Sequence, residues 1–72
     1  MLLNCETNPL TPRQLDVLRL LAEGRSTDEI ASELGLSRTT VRNYIAGVLA
    51  VLGAHSRLQA VSVARKSGLI DF

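Results

Sequence analysis

The sequence predicts an all-α protein, a compact four-helix domain around a central helix-turn-helix. Three observations predict it. Capping boxes, a Ser or Thr followed three residues on by Glu or Gln, stand at Thr11, Ser26 and Ser56. Apolar residues recur at helical spacing, and glycines close the runs at Gly24, Gly35, Gly53 and Gly68. The chain is 46% apolar but only 3% aromatic, so its interior has to be made of Leu, Ile, Val and Ala, which suits small packed helices.

Residues 1–9 hold no sustained periodicity and carry Asn4, Asn8 and Pro9 as breakers. They read as a tail or a linker remnant ahead of one domain over residues 10–72. Leu2 and Leu3 either fold back on that domain or belong to a linker from a removed partner domain. The first helix opens at Thr11, with Pro12 in the first helical position, where its missing N–H does no harm. Gln14 completes the box. Gln14, Val17, Leu18 and Leu21 share a face, Leu10 staples the helix from outside, and Leu15 and Leu20 flank the stripe, partly exposed.

The second helix follows the box Ser26-Thr27-Asp28-Glu29 and buries Ile30, Ala31 and Leu34 up to Gly35. Asp28 and Glu29 sit in its first turn, where acids favour the helix dipole. The third helix spans Ser37 to Leu52. At about 100° per residue, Val41, Tyr44, Ile45, Val48 and Leu52 share one side, and Thr39, Arg42, Asn43, Ala46, Gly47 and Ala50 the other. Gly53 ends it, and Ala54 and His55 form a short link. Ser56 and Gln59 open a last helix that runs to about Lys66, with Ala60, Val61 and Ala64 inward. Leu69, Ile70 and Phe72 are expected to fold back onto the core.

A short helix, a glycine turn and a longer helix form the pattern whose second helix enters the DNA major groove. The exposed side of the third helix is poor in Lys and Glu, unlike a purely solvated face. Arg42 and Asn43 lie near its start, and these side chains pair bidentately with guanine and adenine respectively. Ala46, Gly47 and Ala50 would admit close backbone approach or meet a thymine methyl. A net charge of +1 is a weak electrostatic footprint, so local placement of arginines must outweigh total charge, and two copies acting together would help.

Other classes find little support. The chain has no glycine-rich phosphate loop, no Cys/His cluster and no catalytic constellation, so a non-enzyme without metal or cofactor is expected. His55 reads as an exposed linker residue or a hydrogen-bond donor to a phosphate. Cys5 is the only cysteine, cannot close an internal disulfide and reads as incidental, which fits a reducing cytoplasm. No apolar run suits a membrane span.

From Leu10 onward the chain resembles the LuxR-type helix-turn-helix domain, also found in FixJ- and NarL-like response regulators. The matching pieces are LTPRQLDVLRLLAEG, STDEIASELGLSRTTVRNYI and LGAHSRLQAVSVARKSGLI, in order. The resemblance implies a sequence-specific transcription regulator that binds double-stranded DNA at repeated sites near promoters, with RNA polymerase as a further candidate partner. It implies a homodimer through the last helix, weak when free and strengthened on DNA. Carried over by position, Arg42, Asn43 and Ala46 face base edges, and Thr40 and Arg57 face the DNA backbone; Thr39, on the exposed side of the third helix, is expected to join the base-facing set, and Arg38 and Tyr44 the backbone set. The dimer seam is expected at Val63, opposite the inward face, with Gln59, Ser62 and Lys66 around it. Most members carry the domain behind a receiver or ligand-sensing domain and a few stand alone, so the chain reads as free-standing or as a fragment.

Three positions depart from the family pattern. Gln14 stands where Glu is usual, Tyr44 where His is frequent, and Val51 where Lys usually precedes Leu52. Losing one charge of each sign suggests that Gln14 and Val51 are neighbours. Two alternative readings stand beside this one. Region four of a sigma factor usually ends near the recognition helix, whereas this chain continues into a fourth. A protein-interaction module that kept the fold and lost DNA binding is favoured by Ala46, Gly47, Ala50, Val51 and the low net charge.

Overall fold

The computed structural model describes residues 10–70, so Leu2, Leu3, Cys5 and Phe72 lie outside the described residues. Four helices form: α1 (Pro12–Ala22), α2 (Thr27–Leu34), α3 (Arg38–Leu52) and α4 (Arg57–Lys66), with no strand among the described residues. Their starts are set by the local chemistry that the sequence announces. The Gln14 N–H donates to Thr11 Oγ1 (3.2 Å) and the Thr11 N–H to Gln14 Oε1 (3.0 Å). Ser26 and Glu29 repeat the exchange at α2, at 3.1 and 2.9 Å. Each such cap contributes about 1 kcal/mol by satisfying amides that have no partner inside the helix.

The third box is only half formed. The Gln59 N–H donates to Ser56 Oγ (3.1 Å), but Gln59 Oε1 accepts from the His55 N–H (2.6 Å), not from Ser56. The backbone explains the change. Ser56 has φ −153°, against −69° and −77° at Thr11 and Ser26, so its N–H points away from the glutamine.

Gly35, with φ +69°, makes the helix-turn-helix turn, and the Leu36 N–H returns to the Ala31 carbonyl (2.9 Å). A Cβ at Gly35 would meet nothing within 4 Å, so glycine is needed there for backbone angle and not for space. Gly47 is the reverse case: it lies within α3, and an added Cβ would come within 3.0 Å of Gln14 Nε2. Gly47 is therefore half-buried against α1, not on the open face. Gln14 thus meets α3 one turn before Val51 (i, i+4), the other position that departs from the family pattern.

The core is one cluster. Val17, Leu18 and Leu21 of α1 meet Ile30 and Ala31 of α2, Val41, Ile45 and Val48 of α3, and Val61 and Ala64 of α4. Leu10 and Ile70 close its two ends, as the staple and the fold-back predict. Ala54, read from sequence as plain link, is buried as well. Helix α1 packs on all three others and α3 packs on α2 and α4; Arg57 of α4 reaches α2 by its side chain. The arrangement leaves one side of α3 uncovered.

Candidate nucleic-acid interface

Helix α3 is held by Val41, Ile45 and Val48, with Tyr44, Leu49 and Leu52 packed partly against the same core. This fixes the opposite side outward: Thr39, Arg42, Asn43, Ala46 and Ala50 are all exposed. Among the described residues, no side chain engages Arg42 or Asn43 in a hydrogen bond or ion pair. Two groups able to pair with bases therefore stand free near the start of a helix whose axis the core has fixed. Thr40 differs. Its N–H donates to Ser37 Oγ (3.1 Å) and its Oγ1 accepts from the Ser37 hydroxyl (2.9 Å), which locks the first turn. Tyr44 is half-buried, as expected for an aromatic that packs its ring.

Two links between helices that are absent from the sequence expectations join α2 to α3 and to α4. Arg38 forks onto Asp28, Nε to Oδ1 at 2.6 Å and Nη2 to Oδ2 at 3.3 Å. The hydrogen bond and charge of Arg38, with a smaller contribution from Arg42, hold the Asp28 carboxyl below its usual range, and Asp28 raises Arg38 in return. Arg38 is thus already occupied by an acid. A usable signal existed: opposite charges in the first turns of consecutive helices joined by a short turn. Arg57 Nη2 donates to Thr27 Oγ1 (2.6 Å), which ties α4 to the start of α2. Thirty residues separate the two, and no local pattern announces the pair.

The residues expected at the dimer seam are not all placed as expected. Gln59, Ser62 and Lys66 are exposed, but Val63 is half-buried, so it flanks the inward face and does not stand opposite it. Gln59 Oε1 is committed to the His55 N–H. The large apolar side chain that α4 exposes is Leu58, at 84%. Leu58 borders an open groove of about 570 Å³ between the end of α1 and α4, with Arg25, Arg57 and Arg65 on its walls. The described residues contain no cluster of His, Cys, Asp or Glu able to hold a metal, and no single helix long and apolar enough to cross a membrane.

The family described as bacterial regulatory proteins, luxR family, matches residues 8–64. The chain is 44% identical over 63 residues to the transcriptional regulatory protein DesR of Bacillus subtilis, covering 88% of this chain and 32% of DesR. It thus spans about a third of that relative's length. It is 42% identical over 62 residues to the spore germination protein GerE of Bacillus subtilis, covering 86% of this chain and 84% of GerE. The solved structure of the transcription factor GerE superposes with a TM-score of 0.80 at 34% identity, over 86% of this chain and 92% of that one. With the family match, the helix order and the helix-turn-helix all in agreement, the chain belongs to the luxR family of bacterial regulatory proteins and carries its helix-turn-helix DNA-binding domain.

Proposed function

We propose that the chain is a sequence-specific transcriptional regulator that binds double-stranded DNA as a dimer, with α3 in the major groove. The observation that carries this reading is the uncovered side of α3, where Arg42 and Asn43 stand free beside small Ala46. In this reading Arg42, Asn43, Thr39 and Ala46 face base edges. Thr40, Arg57 and Tyr44 meet the backbone and set the register. Near a promoter, RNA polymerase is the further partner.

Titration of the chain against random duplex at rising salt tests the reading. Binding whose log affinity falls linearly with log salt supports it. No binding at low salt would leave the interaction module standing instead. Selection from a random DNA pool then supplies the preferred site.

Arg57 is expected to act on all sequences alike. Arg57→Ala should weaken random and preferred duplexes by the same factor and flatten the salt slope by about one unit. A loss confined to the preferred duplex would remove it from the backbone set.

For the dimer, α4 offers exposed Gln59, Ser62 and Lys66 between Leu58 on one flank and Val63 on the other. At about 100° per residue the two apolar side chains stand about 140° apart. A two-fold contact would set each α4 against its copy and bring the two recognition helices about 34–36 Å apart, on successive major grooves. Leu58 is exposed, so Leu58→Gln should change stability by no more than about 0.5 kcal/mol. It should still lower cooperative binding to a duplex with two half-sites, as should Val63→Glu. Sedimentation and gel shifts measure both, and unchanged cooperativity in both variants would place the seam elsewhere.

A further inference from the structure

An exposed acid of α2 reaches the start of α3, the helix whose outer side is uncovered. Asp28 lies in the first turn of α2, and its carboxylate takes both arms of the Arg38 fork across the turn. Both side chains are open to solvent, at 68% for Asp28 and 58% for Arg38, so the pair is not there to solve a burial problem. Its field also reaches Arg42, whose charge acts on the Asp28 carboxyl.

In a helix-turn-helix the first helix crosses the phosphate backbone while the second enters the groove. The starts of both helices attract phosphate through their dipoles and free amides. A free arginine there would add one more phosphate contact on any sequence. Asp28 competes for that contact: its carboxylate takes Nε and Nη2 of the guanidinium in a two-bond fork and turns the side chain toward α2. The consequence is large for a chain with a net charge of only +1.

We propose that Asp28 limits DNA affinity: it withholds Arg38 from phosphate and lowers binding to every duplex by the same factor, without altering sequence preference. The proposal rests on the DNA-binding reading above. It revises the expectation that Arg38 meets the DNA backbone. One phosphate contact steepens the salt slope by about 0.9 and strengthens binding about fivefold at 0.15 M salt. Attenuation of that size leaves a single domain weakly bound and makes occupancy depend on two copies.

The test uses the whole chain with Asp28→Asn, Asp28→Glu and the double variant Asp28→Asn/Arg38→Ala. Anisotropy is read on a random duplex and on the selected duplex over about 50 to 200 mM salt, and circular dichroism checks folding. Asp28→Asn should tighten both duplexes about fivefold at 0.15 M and steepen the slope by about 0.9. Asp28→Glu should stay near the parent, because a longer acid still reaches Arg38. The double variant should lose the gain. Asp28→Asn within twofold of the parent and with unchanged slope overturns the proposal, as does a gain that survives in the double variant. Absence of binding by the parent and every variant instead sinks the DNA-binding reading. If Asp28→Asn fails to fold, Asp28→Ser takes its place under the same expectations: a gain of about fivefold with a steeper slope supports the proposal, and affinity within twofold of the parent with unchanged slope overturns it.

Discussion

Arg42→Ala is expected to weaken binding to the preferred duplex by about 1–3 kcal/mol, and to relax discrimination at one base pair. The size follows from the contact proposed. A bidentate arginine satisfies two acceptors on guanine, and its loss leaves both facing a gap that water fills poorly. Arg42, exposed near the start of α3, is free for such a contact. Arg38 is taken by Asp28, while the Arg42 side chain has no hydrogen-bonding or ion-pair partner among the described residues. Asn43→Ala should act similarly at a neighbouring pair, with adenine as the base read. The measurement is selection from a random pool with each variant, followed by competition between single-base variants of the preferred duplex. An Arg42→Ala preference identical to the parent's at every position would end the claim of direct readout.

Ile30→Ala is expected to cost about 2–5 kcal/mol of stability, the range for truncating a large aliphatic side chain in a packed core. At roughly 0.05–0.15 kcal/mol per residue, a domain of this length holds about 4–11 kcal/mol in total. The substitution therefore removes a large share. Ile30 is fully buried, and with Ala31 it is one of the two residues that α2 buries. Leu34 packs only partly against the core. Loss of Ile30 thus frees a whole helix. It should also weaken the Asp28–Arg38 and Thr27–Arg57 links, since both hang on the position of α2. Urea unfolding by circular dichroism measures the cost, and DNA binding should fall in parallel as the helix-turn-helix loosens. A change below about 0.5 kcal/mol, the size usual for surface positions, would contradict the core assignment.

The sequence by itself determined the helices and most of the core. Thr11, Ser26 and Ser37 accept amides three residues ahead, and Gly35 and Gly53 turn the chain left-handed at the helix ends. Such bonds close within one turn, so residue type and spacing specify them before any packing occurs. The buried sets followed from the helical period for the same reason, and with them the exposure of Arg42 and Asn43. The family resemblance, carried by long ordered pieces, agreed with the match over residues 8–64.

Only the tertiary structure decided which side chains meet between helices. Gly47 looked like part of the open face of α3, but the packing of α1 brings Gln14 against it. Val63 looked opposite the core and is half-buried, while Leu58 of the same helix stands exposed at 84%. Gln59 turned to His55 because the backbone at Ser56 is more extended than at the other caps. Asp28 was read as a favourable charge at a helix start, and the turn at Gly35 also brings Arg38 onto it. Apart from the Gln59 cap, which follows the local backbone at Ser56, each of these depends on where one helix axis lies against another. That placement is set by the shape of the whole core, and no window of a few residues contains it.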